Sequence, residues 1–521
     1  MTAPARPLIA DLAGQNFDAV VVGAGVNGVS AALHLAAGGY SVLLVEKGDF
    51  GSGSSSRSSR LLHCGLRYLA PGGSMWDFAL HPGRLVTALK MARKAMDCRA
   101  QFAHETPERV RHFTFYFPVM EGQPYDPWQI GLGLKVLAAL GPGDPPLEQR
   151  RLSLQEARSA PLVGGVRDPE RLRAVYSLRE YQFEWPERIV ADEVFEAERL
   201  GAVVRNYTAV AGWARDGEGW RLDLTDTLDE GATATVTAAT VVNMGGIWMD
   251  RVNARSATGS AGRRITGTKG AHIVVQLPPE CADVGLITLH RENEPFYCVP
   301  WRGLHYFGPT ETMFDGDIDD VRSTEADIHW LLDEANHLLP GLGLGRDDVV
   351  YSWAGVRPLT YDPEQPRGAR ARLLHDLEGE GLPGVYAMTA GPIMTHRTAG
   401  EDVVAAVAGR LGPRGPAQPI DWSAQRFPED TNAPPLMTDD PAIRLSDLVH
   451  VAETERVTSL VDILARRTGV GWSRGHGRQE ARKAAEAVAG TLGWDDVRVD
   501  AEVAAYETYV DHFFAGPFQA D

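Results

Sequence analysis

An α/β chain, α+β overall, is predicted by three observations. A short apolar run, Asp18–Val22, leads into a glycine-rich turn and an Ala/Leu-rich stretch. The same strand-into-glycine pattern returns at 239–252 and again at 384–408. Between these repeats lie segments that alternate like antiparallel strands, and beyond residue 447 the apolar spacing becomes helical.

Each element has a local cause. The run Asp18–Val22 is apolar and β-branched, as a strand buried on both faces should be. The helix after it ends near Ala37, where Gly38 and Gly39 provide a stop, and Ser41–Glu46 is the second strand. Gly23, Gly25 and Gly28 form G-x-G-x-x-G between strand and helix. The first permits the tight turn, the second lets backbone approach a pyrophosphate, and the third allows helix and strand to pack closely. Glu46, 18 residues after Gly28, suits a ribose diol. The unit therefore reads as a Rossmann-like dinucleotide-binding fold.

The second strand then runs into "GDFGSGSSSRSSRLLHCGLRYL" (48–69) rather than into another simple βα repeat. Small residues at that density let a bulky ring system pass close to backbone, and their hydroxyls suit phosphate and ring heteroatoms. Together with the late glycine segment around Gly391, this favours FAD over NAD. Ser55, Ser56, Ser58, Ser59, His63 and Gly65 join the glycines and Glu46 as candidate cofactor-binding residues.

The resulting expectation is an FAD-binding Rossmann-like domain with an inserted antiparallel-sheet substrate domain and a C-terminal helical domain. The first is assembled from 14–95, 186–255 and 345–412, and the second from 96–185 and 256–344. Residues 413–447, rich in proline and polar groups, read as a linker, and 448–521 as the helical domain. There Val457, Leu460, Val461 and Leu464 share one face, as do Val503, Tyr506, Val510 and Phe513.

Composition narrows the partners. With 69 acidic against 51 basic residues the net charge is −18, which disfavours nucleic acid or an anionic membrane as the main partner. The four cysteines are scattered without metal-ligand spacing, so no metal site is expected and a reducing cytoplasm fits. No apolar run is long enough for a membrane span, and the first residues lack a signal-peptide core. Peripheral attachment at the inner membrane surface stays open, although no basic amphipathic segment argues for it.

The stretch from Val20 to Leu69 resembles the N-terminal region of the FAD-dependent glycerol-3-phosphate dehydrogenases. Their pattern is a glycine fingerprint, an acid, Ser-Ser-x-Ser-Ser-Lys and His-Gly-Gly-Leu-Arg-Tyr-Leu. "TKGAHIVV" (268–275), "GPTET" (308–312), "SWAGVRPL" (352–359) and "VTSLVDILARRTGV" (457–470) are similar to further blocks, in the family's order. The resemblance implies oxidation of a secondary alcohol, glycerol 3-phosphate first, with hydride passing to flavin N5 and electrons then to quinone or oxygen. It places Arg67, Tyr68, His272 and Arg357 near flavin and substrate as the catalytic set. A homodimer is compatible with it.

The residues support two of these roles independently. Arg357 lies between apolar sequence and a proline, where a small anion would satisfy its guanidinium. His272, inside an apolar strand, suits a neutral imidazole that accepts a hydroxyl proton. The structural alternatives are an internal ion pair and a core histidine.

Departures from the family pattern bear on substrate. Pro392 stands where the family has a lysine suited to the substrate phosphate, Arg60 replaces another lysine, and Cys64 replaces a glycine. Arg370, Arg372 or His396 are candidates to compensate. The substrate is therefore expected to be anionic and hydroxylated, with another polyol phosphate or a hydroxy acid beside glycerol 3-phosphate. Amine or amino-acid oxidation on the same scaffold is a second reading, and a flavin-binding protein without turnover a third. Cys64 is expected to be a packing residue rather than an attachment point, and Tyr68 and Trp76 wall residues. The run "HFTFYFP" (112–118) suits either a cavity roof or an ordinary core.

Overall fold

The computed structural model describes residues 6–69, 81–258, 261–291, 294–437 and 442–514. Asn16–Val22 is the centre of the first sheet, parallel to Val42–Val45 on one side and Thr233–Asn243 on the other. Val203–Arg205 and Val385–Thr389 extend it in parallel, and Leu373–Asp376 closes one edge antiparallel. The apolar run is continuous because both faces are covered. Ala19 and Val21 pack with helices Val26–Ala37, Pro186–Arg199 and His396–Leu411, while Val20 and Val22 pack toward the hairpin Thr208–Asp216/Gly219–Asp226. Strand C-termini and the glycine turn thus share one end of the sheet, where a dinucleotide is held in such folds.

The second sheet is mostly antiparallel. Its order is Gln365–Ala369, Val349–Asp362, Ile265–Val275, Leu304–Gly308, Pro295–Trp301, Val284–Leu289, Val110–Met120, Leu172–Phe183 and Leu61–Leu62. Its long central strand, Ile265–Val275, is buried at every position. Ile273 and Val275 face helix Glu325–Leu338, whereas Val274, Tyr351 and Trp353 meet Trp472, Phe513 and Phe514 of the C-terminal unit. That unit contains helices Leu445–Thr454, Ala481–Leu492 and Asp496–Phe513. The two faces read from sequence are largely buried there, including Leu460, Leu464, Tyr506, Val510 and Phe513.

Two expectations change, and one open alternative is decided. Val349–Asp362, assigned by sequence to the nucleotide-binding segments, pairs along its length with Ile265–Val275 in the second sheet. It carries no glycine turn of its own, and its apolar run answers an equally apolar partner. In the linker, Gln418 donates its N–H to Ala37 O at 2.7 Å, Trp422 packs 5.6 Å from His34, and Arg109 reaches Gln425 O at 2.7 Å. The segment is laid onto the nucleotide-binding unit and, at Gln425, onto the second-sheet unit rather than held away from them. Phe113, Phe115 and Phe117 of the aromatic run are buried in the same core as Ile130 and Leu134 of helix Pro127–Leu140 and serve as ordinary core.

Candidate active site

A cavity of about 700 Å³ opens between the two sheets and is also lined by the C-terminal unit. At one end is the glycine turn. Gly23 has φ +103°, and a Cβ there would lie 2.8 Å from Met244 O. A Cβ on Gly28 would lie 1.9 Å from Gly23 O, so the helix approaches the turn at a distance only glycine allows. Ser55 Oγ accepts the N–H of Val26 at 3.0 Å, which folds the serine loop against Gly25 and the start of the helix. Glu46 accepts the N–H groups of Ala24 and Gly48 at 2.8 and 3.0 Å while lining the cavity. Burial pushes its carboxyl up against the pull of those two donors.

The serine loop is stitched to the second sheet. Ser54 Oγ donates to Val356 O at 2.8 Å, Trp353 Nε1 donates to Ser58 O at 3.3 Å, and Ser59 Oγ meets His272 Nε2 at 2.9 Å. Its two arginines anchor it. Arg57 donates to Val321 O, and the fully buried Arg60 pairs with Glu187 and lies 3.7 Å over the Trp472 ring. Arg60 is thereby committed to the fold. Ser56 and Gly65 leave the expected set of lining residues. The Ser56 hydroxyl is turned to Gly51 O, and Gly65, at φ +89°, packs over Ala95 and Ala92 to start the turn Leu66–Leu69.

Further along the wall are His63, Tyr68, His272, Arg357 and Pro392. His63 Nδ1 accepts the Gly65 N–H at 3.1 Å, and its ring meets Tyr68 edge-on at 5.7 Å. His272 is 1% exposed, stacked on Trp353 at 4.5 Å, with burial and then the Arg357 guanidinium holding it well below the usual imidazole range. It is neutral. The Arg357 guanidinium lies over Gly270, where a Cβ would come within 2.6 Å of Nη2. The Arg67 side chain and Trp76 lie outside the described residues.

Of the candidate compensating groups, Arg372 is bound to Thr395, Thr398 and Asp402, and His396 to Glu193 and Ile393 O. Both are spoken for. Arg370 lines the cavity, paired with Glu311. Cys64 is buried off the cavity, its thiol pushed well up by burial and by Glu180, which makes it a packing residue.

Asn27, Trp248, Thr208, Ala209 and Val210, with Arg466 and Tyr509 of the C-terminal unit, line the cavity without being expected from the sequence. Asn27 was legible as the polar residue inside the glycine motif. It donates to Gly391 O at 2.8 Å, and a Cβ on Gly391 would strike its amide, so Gly391 is held at the turn. The others come from distant segments and carry no local signal.

Glycines without room for a Cβ, a helix start at the cavity and an acid closing the second strand fit a dinucleotide, and the small-residue loop fits the flavin of FAD. A family model described as FAD dependent oxidoreductase matches residues 18–405, and the chain belongs to that family. Within it the chain stands with the glycerol-3-phosphate dehydrogenases. It is 30% identical over 416 residues to glycerol-3-phosphate dehydrogenase of Synechocystis, covering 77% of this chain and 72% of that one. D-erythritol 1-phosphate dehydrogenase of Brucella abortus is 29% identical, covering 74% and 72%. The FAD complex of glycerol-3-phosphate dehydrogenase from Bacillus halodurans superposes with a TM-score of 0.72 at 20% identity, over 97% and 96% of the two chains. The protein is an FAD-dependent oxidoreductase acting on CH–OH.

Proposed function

We propose that the protein oxidises the secondary alcohol of a small phosphorylated polyol, glycerol 3-phosphate to dihydroxyacetone phosphate being the first candidate. One observation carries the reading: a guanidinium, Arg357, and a neutral imidazole, His272, share the wall of the flavin-sized cavity. Bound FAD supplies a two-electron acceptor for the hydride leaving the carbinol carbon. Gly23, Gly25, Gly28, Glu46 and the loop Ser54–Ser59 hold that cofactor, with Glu46 taking the ribose hydroxyls. Arg357 binds the anionic group by a bidentate contact. The hydroxyl proton passes to His272 Nε2, with Ser59 Oγ handing on its own proton as it takes the substrate's. Tyr68 and His63 close the substrate end.

Another polyol phosphate or a hydroxy acid is the second reading, and Pro392 supports it by putting an uncharged ring in the cavity wall. Anaerobic bleaching of the flavin by a panel of polyol phosphates, hydroxy acids and amines tests both readings. Glycerol 3-phosphate or a close analogue should bleach fastest; reduction by an amino acid alone would overturn the assignment.

Quinone or oxygen then reoxidises the enzyme. Among the described residues no helix is long and apolar enough to cross a membrane. Yet helices Pro82–Glu105 and Pro127–Leu140 expose Val86, Trp128 (61%) and Leu132 (46%) along with Lys90, Arg93 and Lys135. These exposed apolar and cationic residues support peripheral attachment to a bilayer, and hence quinone, against the repulsion that a net charge of −18 sets up at an anionic surface. Co-sedimentation with phosphatidylglycerol vesicles tests this, and protein left in the supernatant would favour a soluble acceptor.

A further inference from the structure

The cavity is closed on its nucleotide side by a segment that belongs to neither the glycine turn nor the serine loop. Residues 315–323 leave the second sheet where the Phe314 N–H bonds Gly267 O at 3.0 Å. They return to it where Asp327 pairs with Lys269 at 2.6 Å. Both feet therefore stand on one strand, two residues apart, while the middle reaches across to the other sheet's domain. Ile318 and Asp319 line the cavity.

Asp319 collects three donors, all from the nucleotide-binding unit. Its carboxylate accepts Trp248 Nε1 at 2.7 Å, Arg251 Nη1 at 2.6 Å and the Lys47 ammonium. Lys47 directly follows Glu46, and Trp248 and Arg251 follow the strand Thr233–Asn243, so these donors sit at the strand ends that flank the cofactor. Lys47 also lies 4.3 Å over the Trp248 ring, and Trp248 in turn covers Gly53 so closely that a Cβ there would be 3.1 Å from it. The neighbouring residues bind elsewhere. Asp320 pairs with His512 of the last helix at 2.9 Å, and Val321 O accepts Arg57 of the serine loop at 3.0 Å. Tyr509 of that last helix, one turn before Phe513 under Arg57, lines the cavity as well.

We propose that residues 317–321 are a strap that retains FAD, and that Asp319 is the residue that latches it to the nucleotide-binding unit. The side chains of Asp319, Lys47 and Arg251 are 45%, 46% and 53% exposed, so each pair is weak alone and screened by salt. Three donors on one carboxylate, between two feet fixed on one strand, make a closure that opens as a unit. FAD leaves when it opens. Asp319 is thus a positioning residue for the cofactor, acting through Trp248, Lys47 and Arg251.

The test uses holoenzyme and no substrate. Release of FAD on dilution is followed by the rise in free-flavin fluorescence, at low and at high potassium chloride. Wild type should release FAD faster as salt rises. Asp319→Asn should release it at least tenfold faster at low salt and lose most of the salt dependence. The double variant Lys47→Gln/Arg251→Gln removes donors from the other side and should do the same. Wild-type release rates in both folded variants, or a salt dependence that survives in both, would overturn the proposal. Because no substrate enters the assay, its failure leaves the alcohol-oxidation reading intact, and failure of that reading leaves the strap intact.

Discussion

Ser59 Oγ and His272 Nε2 lie 2.9 Å apart, joining the serine loop of the nucleotide-binding unit to the central strand of the second sheet. Tyr306, edge-on to the same imidazole at 5.5 Å, donates its hydroxyl to Ser59 O at 2.5 Å, so the pair is held from both sides. The cofactor-facing loop and the candidate base are thereby tied together.

A neutral His272 sets an expectation for pH. With burial and Arg357 holding its pKa well below 6.5, the imidazole stays unprotonated as pH falls through that value. kcat/KM should therefore show no acid limb near pH 6.5 that disappears in His272→Gln. That substitution should lower kcat by about a hundredfold or more if the imidazole takes the proton. Ser59→Ala should lose less, because water can replace a hydroxyl. Full activity in His272→Gln with normal flavin content would remove the residue from the chemistry.

Arg357 owes its place to the missing side chain at Gly270. Gly270→Ala would put a Cβ 2.6 Å from Nη2 and 3.0 Å from Cζ, displacing the guanidinium. KM for the phosphorylated substrate should rise while FAD content holds. Arg357→Lys keeps the charge but loses the fork, and kcat/KM should fall by about 10²; Arg357→Ala should cost about 10³. Steady-state kinetics on glycerol 3-phosphate against unphosphorylated glycerol separates anion binding from general damage. Equal losses on both substrates would count against an anion site.

Pro392 allows the opposite experiment. It caps the short turn Ile393–Thr395 at φ −71°, ψ 145°, a conformation lysine adopts freely. Since Arg372 and His396 are committed elsewhere and Arg370 is paired with Glu311, the cavity gains a cation if Pro392 becomes Lys. kcat/KM for glycerol 3-phosphate should rise about tenfold, the gain of one charge-assisted hydrogen bond to a phosphate. No gain would mean that the phosphate lies away from this turn.

How much of this was readable beforehand follows from how local each signal is. Gly23, Gly28 and Glu46 announce themselves because turn, helix and strand end lie within one short stretch. Apolar runs in the two sheets look alike, so Val349–Asp362 reads as a strand of the nucleotide-binding unit until its pairing with Ile265–Val275 tells them apart. Ser56 reads like its neighbours in sequence, yet it alone turns its hydroxyl back to Gly51 O while Ser54, Ser55, Ser58 and Ser59 line the cavity. Arg466, Tyr509 and Asp319 reach the cavity from segments far along the chain, so nothing near them marks their role.

Glu180 supplies a prediction about stability. It is buried beneath the turn that carries His63 and Tyr68, accepting the Cys64 N–H at 3.0 Å. Arg99, its nearest cation at 3.8 Å, gives its other nitrogens to the carbonyls of Pro145, Pro146 and Arg179. Burial therefore outweighs Arg99 and pushes the carboxyl from 4.5 up to about 7. A carboxyl raised on folding binds its proton more tightly in the native state. Its stabilising contribution is complete below pH 4.5 and is lost as pH rises through 7, for a total of about 3 kcal/mol. Glu180→Gln cannot ionise and keeps a hydrogen-bond acceptor for Cys64. Thermal unfolding at several pH values should then show wild type losing stability relative to Glu180→Gln between mildly acid and mildly alkaline buffer. Parallel curves for the two proteins would mean that Glu180 does not change its protonation on folding.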